Sequence, residues 1–120
     1  MWGARGEDAT NLEKAKKLYR DVLTQTADPP LHATAYYGLA RIAAVQKDPE
    51  TAERFFQQTL ELQPEPQVKA WALVYLGRLS LAADDRDQAV QYFEEALKVD
   101  GASETARKAA TEGLQVNPKQ

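Results

Sequence analysis

The side chains of this chain that could take part in catalysis are few and far apart. His32 is the only histidine, Ser80 and Ser103 are the only serines, and there is no cysteine. A serine nucleophile needs a base within hydrogen-bond reach and a third group that orients this base. Nothing near His32 supplies such a partner or a second metal ligand. We therefore expect His32 to be a solvent-facing residue of a connection, and we expect no catalytic residue, no cofactor and no metal.

A cluster of acidic residues, Asp84, Asp85 and Asp87, has the composition of a cation site without its spacing. A calcium-binding loop also needs a glycine and a distant glutamate at fixed places. Asp85 instead precedes Gln88 by three residues, which is the capping-box pattern of a helix N-terminus. The cluster is therefore predicted to begin a helix.

The charge of the chain argues against nucleic acid as a partner. The formal net charge is -3, with both signs interspersed, whereas phosphate binding requires a basic excess. Four basic residues do stand close together: Lys14, Lys16, Lys17 and Arg20. Because Glu13 and Asp21 flank this run, it is predicted to be a solvated helix face.

The apolar runs predict a soluble protein. None is long enough to span a bilayer, and the N-terminus lacks the basic and apolar segments of a signal peptide. We therefore expect no direct membrane insertion. The cytoplasm is favoured as the compartment, with the soluble part of a larger or exported protein as the alternative.

Apolar residues recur at an interval of 37 residues, as from Ala15 to Ala52 and on to Ala89. The three copies are Ala15, Leu18, Tyr19, Val22, Leu23; Ala52, Phe55, Phe56, Thr59, Leu60; and Ala89, Tyr92, Phe93, Ala96, Leu97. Their spacing of i, i+3, i+4, i+7 and i+8 is typical of one helical stripe. Between them a second helix pattern repeats, with residues 39–42 aligned on 76–79. The repeating unit is therefore a pair of helices, which stack into an extended array.

These two patterns resemble the tetratricopeptide repeat. In that family helix A carries large, leucine and small positions, and helix B carries alanine, aromatic, alanine and proline positions. The second unit matches at Tyr36, Leu39, Ala40, Ala52, Phe56, Thr59 and Pro64, and the third at Leu73, Leu76, Gly77, Ala89, Phe93, Ala96 and Gly101. The chain departs from the family where Ala43 and Ser80 replace an aromatic residue of helix A and where Gly101 replaces the last proline. Its interval is also longer than the family's roughly 34 residues, which the proline-containing connections explain.

The resemblance implies an all-α fold, an α-α superhelix of tandem helical hairpins. We expect a single domain over residues 8–115. It comprises helix B of an incomplete first repeat (8–26), repeats at 31–63 and 67–100, and a C-terminal capping helix (103–115). Residues 1–7, with two glycines, are expected to form a flexible tail that is too short for the missing helix A. Residues 116–120 are expected to form a disordered tail.

The resemblance also implies a non-catalytic scaffold for protein–protein interaction, with a peptide or a partner helix bound in the concave groove that the A helices line. The groove positions carried over are Thr34, Tyr37, Arg41 and Ala44; Trp71, Val74, Arg78 and Leu81; and Thr105, Lys108 and Glu112 of the capping helix. The spacing within each of the first two sets places its members on one side of a helix. Arg41 and Arg78, with Tyr37 and Trp71 nearby, favour an acidic partner with an apolar anchor.

A simpler interpretation of these side chains stays open. Tyr37 and Trp71 would only complete the packing between helices, while both arginines would pair with local Asp or Glu residues.

The two ends of the array suggest different roles. The stripe beside Leu12 and Leu18 lacks a helix A, so it is expected to self-associate or to be covered by Trp2 folding back. A homo-oligomerisation module, or part of a larger repeat scaffold, is therefore the alternative function. The capping helix is expected to turn Ala106, Ala109, Ala110 and Leu114 inward and its charged residues outward.

Overall fold

The helices of this protein begin where the sequence places prolines and short polar side chains. The computed structural model describes the backbone of residues 2–116 and the side chains of residues 10–116. Within this range there are six α-helices and no strand: α1 (Trp2–Gln25), α2 (Pro29–Val45), α3 (Pro49–Glu61), α4 (Pro66–Ala82), α5 (Arg86–Leu97) and α6 (Glu104–Val116). The predicted all-α class is confirmed.

Side-chain caps fix the starts of three helices. Asp48 accepts a hydrogen bond from the Thr51 amide (3.3 Å), and Asp85 accepts one from the Gln88 amide (3.2 Å). The Ser103 hydroxyl oxygen accepts a hydrogen bond from the Ala106 amide (3.1 Å). Each contact satisfies a backbone donor that the first turn of a helix leaves unpaired. The capping role predicted for Asp85 is therefore confirmed, and Asp48 and Ser103 act in the same way.

The turns within the two complete hairpins are equivalent. Lys47 after α2 and Asp84 after α4 are left-handed, with φ of 64° and 65°. The next amide in each turn donates back into its helix, from Asp48 to the Ala43 carbonyl and from Asp85 to the Ser80 carbonyl. This arrangement is a helix C-terminal motif that satisfies carbonyl groups and reverses the chain. It positions α3 against α2 and α5 against α4 in the same way.

The core lies along the stack of hairpins. Phe56 of α3 and Phe93 of α5 hold corresponding places in the two complete hairpins, and both are 0% exposed. Gly77 permits the second of these contacts, since a Cβ atom there would lie 2.6 Å from the Phe93 ring. The glycine inside α4 therefore allows α5 to approach closely.

The N-terminal boundary differs from the sequence prediction. The flexible tail expected at residues 1–7 is, from Trp2 onward, part of α1. Thr10 consequently lies inside this helix and does not cap it. Glycines cost about 1 kcal/mol each in a helix, but extending an existing helix needs no new nucleus. The expected folding back of the Trp2 side chain lies outside the described side chains.

Two other expectations concern residues near helix ends. His32 is half-buried in the first turns of α2, and its Nε2 lies 2.5 Å from the Thr26 carbonyl oxygen. The solvent-facing connection residue predicted there is wrong, because the ring ties α2 to the preceding connection. At the other end α6 includes Val116, so the disordered tail expected at 116–120 is wrong at its first residue, and residues 117–120 lie outside the described residues.

Across the described residues, no helix combines the length and the apolar character that crossing a membrane would need.

Candidate binding groove

Aromatic rings form a continuous row where α2 and α4 lie side by side. The Tyr37 and Tyr75 rings meet edge-on with their centroids 6.1 Å apart. Tyr75 stacks on Phe56 at 5.2 Å with an interplanar angle of 7°. Trp71, one turn before Tyr75, has its ring centroid 6.1 Å from that of Tyr75. Because Tyr37, Tyr75 and Trp71 are half-buried, this row offers ring surface to solvent while Phe56 supports it from below.

Two arginines lie over this row. The guanidinium carbon of Arg41 is 5.7 Å from the Tyr37 ring centroid. That of Arg78 is 5.5 Å from the Tyr75 centroid and 6.0 Å from the Trp71 centroid. These distances allow attraction between the cation and the ring face, which contributes about 0.5–1 kcal/mol at an exposed site. The rings therefore hold both guanidinium groups over the groove.

Neither arginine has a carboxylate partner among the described residues. Lys16 pairs with Glu13 and Lys17 pairs with Asp21, both within α1, but no described carboxylate lies within ion-pair distance of Arg41 or Arg78. The interpretation that Arg41 and Arg78 pair with local acids is therefore wrong. The accompanying interpretation, that Tyr37 only completes the packing between helices, is correct in part. The Tyr37 ring packs against Phe56, with the ring centroids 5.9 Å apart, but it also borders the groove.

The Tyr37 hydroxyl stays protonated in this setting. Burial, with a smaller contribution from the neighbouring Tyr75, raises the pKa of Tyr37 to about 12, although Arg41 and Arg78 act in the opposite direction. A protonated phenol can donate a hydrogen bond. The groove thus combines one such donor with two cations at neutral pH.

The remaining predicted groove residues are not part of this row. Val74 is wrong as an accessible groove residue, since it is 0% exposed and belongs to the core formed by α4, α5 and α6. Leu81 is half-buried and packs against that same core. Thr34 is exposed, but its hydroxyl donates to the Pro30 carbonyl of its own helix (3.2 Å). Lys108, on α6, borders a cavity made only by α6 side chains.

Tyr75 is the groove residue that the sequence prediction missed. It lies four residues after Trp71 and three before Arg78, so helical spacing alone places it on their side of α4. The alignment of the two units obscured it, because Tyr37 aligns with Val74 and Gly38 aligns with Tyr75. The aromatic residue of the groove therefore stands one position later in the third unit than in the second.

A large cavity elsewhere on the stack has the opposite charge character to the groove between α2 and α4. It has a volume of about 590 Å³, lies between α3, α4 and α5, and is lined by Glu50, Glu53 and Asp85 without any basic residue. The Gln57 amide donates a hydrogen bond to the Tyr92 hydroxyl beside it (2.7 Å). The two faces of the stack therefore differ, with cations over aromatic rings on one and carboxylates on the other.

Antiparallel hairpins that stack in register, with the first helix of each pair lining one face, define a helical-repeat protein. Residues 31–102 match the tetratricopeptide repeat family. Because this match covers more than half of the chain, the protein belongs to that family. Such repeats generally mediate protein–protein interactions and are typically non-catalytic. The match covers both complete hairpins, α2–α3 and α4–α5, except for the first two residues of α2, and leaves α1 and α6 outside. A search of curated proteins gives no match.

Proposed function

We propose that this protein is a non-catalytic scaffold whose groove between α2 and α4 binds an acidic segment of another protein that carries an apolar anchor. One observation carries the proposal: Arg41 and Arg78 are exposed, lie over aromatic rings and have no acidic partner among the described residues. A guanidinium group can form two parallel hydrogen bonds with one carboxylate. An acidic partner would therefore find both cations available.

The aromatic row supports the apolar part of this proposal. Half-buried rings give a large contact area and lose little side-chain entropy when a ligand covers them. Trp71 and Tyr75 already pack against each other and beneath Arg78, so they are held in place before the ligand arrives. An anchor residue is expected on these rings, because Val74 is not accessible.

The test is a selection from a library of decapeptides in which acidic, basic and neutral residues flank a central apolar position. We expect enrichment of Asp or Glu beside an aromatic or leucine residue. Arg41→Gln with Arg78→Gln should remove this enrichment, and Trp71→Ala should weaken the best peptide by about 2 kcal/mol, as for a central anchor. Calorimetric titration measures both effects.

A matched control is available in Arg54 and Arg107, which are also exposed but lie on α3 and α6. Arg54→Gln with Arg107→Gln changes the net charge equally and should leave peptide selection unchanged. Equal binding by the groove variant and the parent would move the site away from α2 and α4. The contribution of the arginines should also decrease at high ionic strength, since exposed charge contacts are screened.

A further inference from the structure

A cavity of about 390 Å³ opens between α1 and α2. Its wall on the α1 side is apolar and aromatic, formed by Leu12, Ala15 and Tyr19. Gly38, Arg41 and Val45 line it on the α2 side. No described carboxylate lies on its wall. The cavity is thus a mainly apolar space with one basic group at its edge.

The repeat itself shows what this cavity lacks. Ala15 and Tyr19 correspond to Ala52 and Phe56 of the second unit, and those residues are fully buried beneath helix A of their own hairpin. The described residues include no helix A for the first unit, and Ala15 and Tyr19 are half-buried. The cavity therefore occupies the position at which a helix would pack in a complete repeat.

The contact of α2 with its neighbours shows which side chains fit such a position. Tyr37 lies 5.9 Å from Phe56 and 6.1 Å from Tyr75, measured between ring centroids. Ala40 and Ala43 follow at three and six positions and pack in the same core. The helix thus presents one aromatic residue and then two small residues.

The first unit offers more space at the corresponding place. Tyr19 stands where Phe56 does, and Gly38 stands where Tyr75 does. An incoming aromatic side chain would therefore meet one ring and a glycine in place of two rings. The Tyr19 ring itself lies against Gly38, so the space for a large aromatic residue is the open cavity on the other side of the Tyr19 ring.

We propose that the cavity between α1 and α2 is the docking site for a helix from a partner protein. The contact face of that helix carries an aromatic residue, small residues three and six positions later, and an acidic residue that meets Arg41. This site goes beyond the proposed function, because it is a packing site for a helix and lies at the end of the groove. Arg41 and Tyr75 border both surfaces, whereas Leu12, Ala15 and Tyr19 belong to this one alone.

A second copy of this chain fits the site less well. The two A helices, α2 and α4, are each packed against a B helix of their own stack. A second molecule could present one of them only by opening its own core. A separate helix has no such cost, so the proposal commits to a different protein.

The probe is a synthetic peptide of residues 29–45 of this chain, acetylated and amidated, with Arg41→Glu to meet the protein's Arg41. It is titrated into the ¹⁵N-labelled full chain and followed by ¹H–¹⁵N spectra. We expect saturable shifts of the Ala15, Gly38 and Val45 amides and none at Gly113, at the opposite end of the stack. Replacing Tyr37 of the peptide by Ala should weaken binding at least about tenfold, a difference of about 1.4 kcal/mol.

Two protein variants provide matched tests. Leu12→Glu puts a charge into the cavity wall, whereas Leu18→Glu puts the same charge on an α1 position that is 66% exposed and does not line the cavity. Leu12→Glu should weaken the peptide at least about tenfold, and Leu18→Glu should leave its affinity within about twofold. Thermal unfolding of both variants confirms that each is folded, and Ala44→Phe, which fills the space, is the second blocking variant.

Four results would overturn the proposal. The first is the absence of shifts on α1 and α2 with the peptide in soluble excess. The second is a set of shifts at Ala52 and Phe56, which would mean exchange with the protein's own α2.

The third is binding that survives Leu12→Glu and Ala44→Phe but is lost with Trp71→Ala, which places the peptide in the groove. The fourth is a mass that doubles with concentration unless Leu12 is changed, which makes a second copy the occupant.

This experiment and the peptide selection test the two proposals independently. Failure of the helix peptide leaves selection by Arg41 and Arg78 untouched. If the peptide selection fails, shifts of the Ala15 and Gly38 amides would still support the docking site between α1 and α2.

Discussion

The two ends of the stack contain the same aromatic position in different surroundings. Phe93, in the last complete hairpin, is 0% exposed and lies between Gly77 of α4 and Gly113 of α6. Tyr19, its counterpart in the first unit, contacts Gly38 of α2 on one side and borders an open cavity on the other. Burial of this position therefore depends on a covering helix, because the stripe that carries it is the same.

The helix that closes the C-terminal end is built for that role. Ala106, Ala109 and Ala110 are buried, and Leu114 packs partly against the same core. The charged residues of α6 face outward and are exposed. This arrangement confirms the predicted inward face of the capping helix. A row of small side chains lets α6 approach Phe93 closely and cover this ring.

The largest expected effect comes from removing the aromatic side chain at each end. Phe93→Ala should lower the free energy of unfolding by about 3–5 kcal/mol, as for other fully buried rings. Tyr19→Ala should cost about half as much or less, because Tyr19 is only half-buried. Urea denaturation of both variants measures the difference, with Phe56→Ala as a buried reference expected to match Phe93→Ala. Equal losses for Tyr19 and Phe93 would show that the first unit is covered in solution.

A smaller effect is expected when a methyl group is added opposite each ring. A Cβ atom at Gly113 would collide with Phe93, and one at Gly38 would collide with Tyr19. Phe93 is enclosed on both sides, so Gly113→Ala should destabilise the protein by about 1–3 kcal/mol through overpacking. Tyr19 can turn into the open cavity, so the gain of about 1 kcal/mol in helix propensity should leave Gly38→Ala close to neutral.

Thermal unfolding of the two glycine variants provides the measurement. If Gly38→Ala is the more damaging of the two, the Tyr19 ring is fixed and the cavity is not available to it.

The smallest effect concerns the cap that begins α6. The Ser103 hydroxyl oxygen accepts from the Ala106 amide, and the Ser103 amide donates to the Gln67 side chain (2.9 Å). Ser103→Ala removes the bond from the Ala106 amide and the one between the Ser103 and Thr105 hydroxyls (2.9 Å) but keeps the bond to Gln67. It should cost about 1 kcal/mol, and Ser103→Asp should restore most of the capping bond. Chemical denaturation distinguishes these values. If Ser103→Ala lowers the free energy of unfolding by much more than this amount, the cap, and not the alanine face, holds α6 in place.

Much of the fold follows from local rules that act within a few residues. Some features can be predicted from the sequence because each requires a particular residue type. Examples are the caps at Asp48, Asp85 and Ser103 and the close helix approach at Gly77. The interval of 37 residues then places the hairpins in register.

The groove was less predictable, because a rigid transfer of positions between units cannot detect a local exchange. Val74 holds the place of Tyr37 in the alignment, yet Tyr75 supplies the ring. A shift by one residue turns a side chain by about 100° around a helix. The extension of α1 to Trp2 also escaped prediction, since two glycines in residues 1–7 suggest a break when helix propensity is considered alone.

The contacts that join neighbouring hairpins also determine how the protein opens over time. Phe56 stacks on Tyr75 between α3 and α4, and Gln57 donates to Tyr92 between α3 and α5. In a linear array each unit is stabilised by its nearest neighbours, so a terminal unit has half the interfaces of an internal one. Backbone amides of α1 should therefore exchange with solvent deuterium through brief local opening, while those of α3 to α5 exchange only when the whole array unfolds.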